Sequence, residues 1–180
     1  MVPPGGVRGG RPKMRGESTL KPRTVEPALP VTPSKSTGGR PETAKKRVLF
    51  VCIGNSCRSQ MAEAFARAYG SDILAPYSAG LAPAGSVAPL TRLMLNHKNI
   101  PSDGQFPKGL DAFAGQTFDV VVNVSGQPLD RAMKAVGLPA SRVLNWRVRD
   151  PIGQSENVYR DVAAEIENLV MRLILELRGS

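Results

Sequence analysis

Apolar and polar positions change their pattern abruptly at residue 47. Before it, aliphatic residues are scattered singly among Pro, Gly, Lys and Arg. From there, Arg47-Val48-Leu49-Phe50-Val51-Cys52 is a short, nearly continuous apolar run, the pattern of a strand buried on both faces. Residues 53–57 hold Gly, Asn and Ser and read as a turn. Met61, Ala62, Phe65 and Ala66 recur at helical spacing and predict a helix over 58–69, ended by Gly70. A second short strand is expected over 73–77. A helix follows over 87–99, with Leu90, Leu93, Met94 and Leu95 on its apolar face. Residues 118–124 form another buried strand pattern, 130–136 a short helix stopped by Gly137 and Pro139, and 143–146 a fourth strand. Val162, Ile166, Leu169, Val170, Leu173 and Leu177 predict a long closing helix over 158–177. Strands alternating with helices imply an α/β fold: three layers, α/β/α, around a four-stranded parallel sheet.

Charge sharpens the boundary. Residues 1–47 hold eleven Lys/Arg and three Glu, a net +8, whereas 48–180 hold thirteen against twelve, a net +1. The leading segment also carries eight of the sixteen prolines. Such a stretch cannot bury enough apolar surface to offset its chain entropy, so 1–46 is expected to be a disordered basic tail before a domain at 47–180. Two readings suit this tail: a linker or misassigned start, with Met14 the alternative initiator, or a segment touching nucleic acid or an anionic surface. No aromatic residue interleaves the charges, which weakens the nucleic-acid reading.

Composition excludes several classes. No apolar run approaches the roughly 18 residues of a membrane span. Nor does an apolar block follow the basic start, as a secretory signal requires. The tail is Arg-rich and acid-poor like some transit peptides, but its Pro and Gly content opposes the amphipathic helix these form. A cytoplasmic protein is therefore expected. The only cysteines are Cys52 and Cys57, with the lone His97 far away, so a metal site lacks ligands and reactive cysteine chemistry is the better reading. No cofactor is called for.

The chemistry is expected where an α/β sheet places its ligands, between a strand's carboxyl end and the next helix. Cys52 ends the first strand, Arg58 opens the first helix, and five residues separate them, enough for backbone to wrap a tetrahedral oxyanion. Successive N–H groups of Ile53, Gly54, Asn55, Ser56 and Cys57 form an anion nest, the helix start adds its own N–H groups, and Arg58 grips two oxygens. A thiol in that field is acidified, so Cys52 is expected to act as a thiolate nucleophile. Ser59 is placed to hydrogen-bond it. Gly54 is expected to take a positive φ, and Asn55 to tolerate a left-handed conformation while its side chain ties the loop together. The loop lacks the Gly-Lys-Ser/Thr ending of a nucleotide-binding loop.

The run from Val51 to Ser59 resembles the signature of the low-molecular-weight protein tyrosine phosphatases and their relatives, the thioredoxin-coupled arsenate reductases. Ser78-Ala79-Gly80 resembles another block of that family and Asp150-Pro151 its general-acid loop. The likeness extends from about 47 to 178. It implies the family's α/β fold, a phosphocysteine intermediate, and Asp150 as the acid that protonates the leaving alcohol. That role is one the chemistry itself requires. The implied partner is a phosphorylated protein or a small phosphate ester.

Two branches compete. Ser56, Gln60, Leu81 and Gly104-Gln105 lean toward the arsenate reductases. That branch relays oxidation through two further cysteines after the third strand, where this chain reads Val122-Asn123-Val124-Ser125-Gly126-Gln127 and no cysteine follows Cys57. The phosphatases in turn place tyrosines right after Asp-Pro, where this chain has Ile152-Gly153, and its nearest aromatics are Trp146, Tyr159 and Tyr77. The expectation is a cysteine-dependent phosphate-monoester hydrolase. The alternatives are a single-cysteine arsenate reductase served by an external small thiol and a non-catalytic oxyanion- or phosphoprotein-binding module. Cys57 either packs under the loop or serves as a redox partner of Cys52.

Overall fold

The computed structural model describes residues 44–180. The tail expectation over 1–46 therefore falls, but for its last three positions, outside the described residues. The elements follow in the order β1 (Lys46–Cys52), α1 (Arg58–Gly70), β2 (Leu74–Gly80), α2 (Pro89–His97), a 3-10 turn (Leu110–Phe113), β3 (Phe118–Asn123), α3 (Asp130–Ala135), β4 (Ala140–Asn145) and α4 (Glu156–Arg178). The four strands form one sheet in the order β2-β1-β3-β4, all parallel.

The continuous apolar run of β1 is explained by its central place, with alternate side chains feeding opposite faces. Val48 and Phe50 join Val120 and Val122 of β3 in a core shared with α1, α2 and α4. Leu49, Val51 and Val121 point the other way, into a core closed by Leu110, Phe113, Leu129 and Met133. The three-layer expectation therefore holds. Among the described residues, no helix is long and apolar enough to cross a membrane.

Two strands differ from their sequence reading. β2 continues past its expected end at 77 through the small residues Ser78-Ala79-Gly80, because β1 pairs with it out to Cys52 opposite Gly80. β4 starts earlier than expected, through polar Ser141 and Arg142. It is an edge strand whose residues are mostly exposed, so its sequence carries little of the apolar signature of the others. Trp146 lies just past its end and packs on Phe50, with ring centroids 5.8 Å apart.

The topology fixes where a ligand can sit. The chain leaves β1 for β2 on one side and returns to β3 on the other, so the crevice at the carboxyl end of β1 is the switch point of the sheet.

Candidate active site

The 53–57 loop rises from β1 at that switch point, and its carbonyls are held from outside. The amides of Leu81, Ala82, Ala84 and Ala88 donate to the carbonyls of Cys52, Ile53, Gly54 and Ser56 at 2.8–3.0 Å. The side chain of Gln60 donates to the carbonyl of Asn55 at 3.0 Å. In a trans peptide, C=O and the following N–H point in opposite directions. Turning every carbonyl outward therefore turns the N–H groups of residues 53–57 inward. Asn55 shows this directly, its N–H donating to Cys52 Sγ at 3.2 Å. Among the described residues, the N–H groups of Ile53, Gly54, Ser56 and Cys57 meet no other backbone acceptor.

Asn55, fully buried, is the hub of the loop. It adopts φ 47°, whereas Gly54 does not take a positive φ, which corrects the expectation for Gly54. The reason is side-chain bonding. The Asn55 amide donates to Ser59 Oγ at 2.8 Å. Its oxygen accepts from the Lys108 amide at 2.9 Å and from Gln60 at 3.1 Å. These bonds pin a left-handed conformation that a short amide side chain tolerates. Gly80 serves the loop differently: a Cβ there would lie 2.7 Å from the Ile53 carbonyl oxygen and 2.8 Å from the Asn55 amide nitrogen. The close approach of loop and β2 requires glycine.

Cys52, at the end of β1, is 3% exposed. Its sulfur lies 2.8 Å from Ser59 Oγ. Because that hydroxyl oxygen already accepts from Asn55, its proton is free to point at the sulfur. Two donors thus converge on Sγ, an arrangement that suits an anionic sulfur.

Arg58 is buried, and three of its five N–H donors are committed. Nη1 donates to the carbonyls of Val124 (2.9 Å) and Val148 (3.2 Å), and Nη2 to Asp150 Oδ2 (2.7 Å). The Nε–H and one Nη2–H remain, the edge that takes two oxygens of a carboxylate or phosphate side-on. Asp150 itself is 42% exposed, with Oδ1 accepting from the Ile152 amide at 3.1 Å. The structure therefore brings Cys52, Arg58, Ser59 and Asp150 together.

Cys57 packs inward beneath the loop. Burial pushes its thiol up to about 12, opposed by a hydrogen bond from Thr91 and reinforced by the nearby Cys52. It remains a protonated thiol at neutral pH, and both cysteines are free. This geometry favours the packing role over the redox one. Tyr159 is also buried here, its phenol raised to about 12 first by burial and then by electrostatic coupling to Cys57 and Asp150. Tyr77 lies on the far face of the sheet between Phe113 and Phe118. Neither tyrosine forms a cleft wall. Ile53 and Ile152, 38% and 49% exposed, are the apolar groups presented by the two loops.

A supporting layer behind the loop was not marked by periodicity. The buried Glu63 accepts from Ser78 and pairs with Arg67, and Lys108 Nζ lies 4.0 Å away. Burial lowers the Lys108 pKa, with Glu63 acting in the opposite sense. Gln105 reaches the Gln60 carbonyl at 3.1 Å. One signal did exist: Gln60, Ser78 and Gln105 were among the residues on which the family resemblance or its arsenate-reductase leaning rested.

Comparison with known proteins agrees with this geometry. The profile of the family described as low molecular weight phosphotyrosine protein phosphatase matches residues 47–180. A glutaredoxin arsenate reductase of Synechocystis sp. is 35% identical over 137 residues, covering 73% of this chain and 98% of that protein. An arsenate reductase solved in its phosphate-binding state superposes with a TM-score of 0.66 at 34% identity, over 73% of this chain and 98% of the other. A tyrosine phosphatase of Erwinia amylovora, 20% identical, shares the fold with a TM-score of 0.62 over 73% of this chain and 93% of its own. With most of the chain matched by the profile and about a third of the aligned positions identical in such relatives, it belongs to the low-molecular-weight phosphotyrosine protein phosphatase family.

Proposed function

We propose that this protein is a cysteine-dependent phosphate-monoester hydrolase, with Cys52 the nucleophile, Arg58 and the loop amides the oxyanion cradle, and Asp150 the general acid and base. The observation that carries the reading is the convergence of two donors on Cys52 Sγ beside an arginine that is itself tied to a half-exposed carboxylate. In the first step the Cys52 thiolate attacks phosphorus in line. The P–O ester bond breaks, and the departing oxygen takes the proton of Asp150. The N–H groups of the loop and the two remaining Arg58 donors hold the equatorial oxygens. The oxyanion takes the edge of Arg58 that Asp150 leaves open, so the carboxyl stays beside it for the ester oxygen. In the second step Asp150 takes a proton from water, the water oxygen attacks phosphorus, and the P–S bond breaks. Ser59 stabilises the departing thiolate through its hydroxyl.

The relatives named arsenate reductases favour a second reading. An adduct of arsenate on Cys52 would need a thiol to resolve it, and Cys57, buried and raised to about 12, is poorly suited to that attack. Arsenate reduction here would therefore depend on an external small thiol. Parallel assays of aryl phosphate hydrolysis and of thiol-dependent arsenate reduction separate the two. Cys52-dependent hydrolysis is expected. Arsenate reduction without measurable hydrolysis would replace the hydrolase reading.

Two further results are expected. Iodoacetate, an anionic alkylating reagent, should modify one cysteine per chain at neutral pH, blocked by phosphate and lost in Cys52→Ser but kept in Cys57→Ala; two equivalents by mass spectrometry would contradict the protonated, inward-packed state of Cys57. Gly80→Ala should press on the loop backbone and lower kcat/KM by about 10²-fold, the scale of an ångström's misplacement, with helical circular dichroism retained. Wild-type kinetics in that variant would show that the loop does not depend on the close approach.

A further inference from the structure

Beside the loop, a cleft of about 310 Å³ opens at the carboxyl ends of β3 and β4, lined by Asn123, Gln127, Pro128, Asn145, Trp146 and Arg147. We propose that this cleft is a subsite for a carboxylate side chain flanking the phosphorylated residue, so that the enzyme selects acidic phosphopeptides. The proposal rests on the phosphate-ester reading and names its substrate class.

Position is the first argument. Asn123 pairs with Val51 and Asn145 with Asn123, so the floor of the cleft lies one and two strands from β1, about 5 and 10 Å sideways at the same sheet edge. Val124 and Val148, which hold Arg58 through their carbonyls, directly follow Asn123 and Arg147 in sequence. A residue next to a phosphorylated side chain seated on Arg58 falls within that reach, since consecutive Cα atoms are about 3.8 Å apart.

Chemistry is the second. The lining contains no acid. The Asn123 amide is spent: it donates to the Gln127 carbonyl (2.7 Å) and the Asn145 side-chain oxygen (2.9 Å), and its oxygen accepts from Ser125 (2.7 Å). These bonds fix the floor and leave the Asn145 NH₂, in the cleft's lining, with no protein acceptor among the described residues. Arg147 adds a guanidinium. Arg147 and Arg149 are exposed, and among the described residues neither lies within ion-pairing distance of a carboxylate. A small, partly apolar cleft that holds no acid, one free amide donor and an unpartnered cation fits a carboxylate on its aliphatic stem. The missing aromatic walls beside Asp150 point the same way, because affinity must come from elsewhere on the substrate.

Trp146 makes the test direct, because it is the only tryptophan in the chain and lines the cleft. Two phosphotyrosine peptides, identical except that glutamates beside the phosphotyrosine become glutamines, are titrated against the full chain carrying Cys52→Ser while Trp146 emission is followed. The acidic peptide should bind at least about tenfold tighter, and Arg147→Glu should abolish or reverse that ratio. Because the ratio is taken within one variant, a general loss of affinity cancels from it. Equal affinities for the two peptides, no emission change with either, or a ratio untouched by Arg147→Glu overturns the subsite. Discrimination in a chain that hydrolyses no phosphate ester would instead overturn the hydrolase reading and leave the carboxylate site standing.

Discussion

Cys52→Ser should lower the hydrolysis of aryl phosphates by about 10⁴-fold or more, since loss of a covalent nucleophile has cost up to about 10⁶ elsewhere. Binding of inorganic phosphate should survive. The cradle is built from the amides of residues 53–57 and from Arg58, and its carbonyls are anchored by residues 81–88 and Gln60, none of which the substitution touches. A serine hydroxyl also fits the place of the sulfur, where Ser59 and the Asn55 amide remain as partners. Initial rates and the thermal shift produced by phosphate check the two halves separately. Turnover within tenfold of wild type would remove the covalent mechanism. Loss of phosphate stabilisation with intact folding would mean that the sulfur, rather than the amides and the guanidinium, carries the anion site.

The second large effect concerns Asp150. Asp150→Asn keeps the shape of the side chain and the bond to the Ile152 amide, but removes the proton and the charge facing Arg58. A loss of about 10²–10⁴-fold is expected on alkyl and phenyl phosphates, whose leaving oxygens need a proton. It should shrink steadily as the leaving group becomes more acidic, while alkylation of Cys52 persists. kcat/KM across a series of aryl phosphates gives this slope for wild type and variant. Equal losses across the series would assign Asp150 to holding Arg58 and capping its own turn, the other work it visibly does.

The parts of this molecule that sequence makes visible are those where local pattern and tertiary role coincide. β1 reads as a strand because burial on both faces demands a continuous apolar run, and the loop after it is bounded by residues of distinctive chemistry. The three-layer architecture follows from alternation alone. What sequence hid depends on partners far along the chain. Sequence alone favours a positive φ at Gly54 and tolerates one at Asn55; only Asn55 takes it, because Gln60, Ser59 and the Lys108 amide, far along the chain or on the next helix, hold it there. Ser78-Ala79-Gly80 falls beyond the strand expected over 73–77, and is strand because β1 lies beside it. The edge strand β4 is polar where exposed and offered little periodicity. Glu63 sits in a helix whose first half is buried almost all round, so the apolar spacing of its neighbours gave no reason to place an acid inside. Trp146 has two roles that no spacing predicts together, packing on Phe50 and lining a cleft.

The central claim is that phosphate esters are cleaved through a bond to Cys52. Rapid-quench mass spectrometry tests it: Asp150→Asn is mixed with a strongly activated aryl phosphate, quenched within the first turnover and digested. With the base for the second step removed, the peptide containing Cys52 should carry one phosphoryl group, appearing at the rate of the first burst of phenol and absent in Cys52→Ser. A burst of phenol with no phosphoryl group on that peptide, or a phosphoryl group on any other residue, would contradict the account.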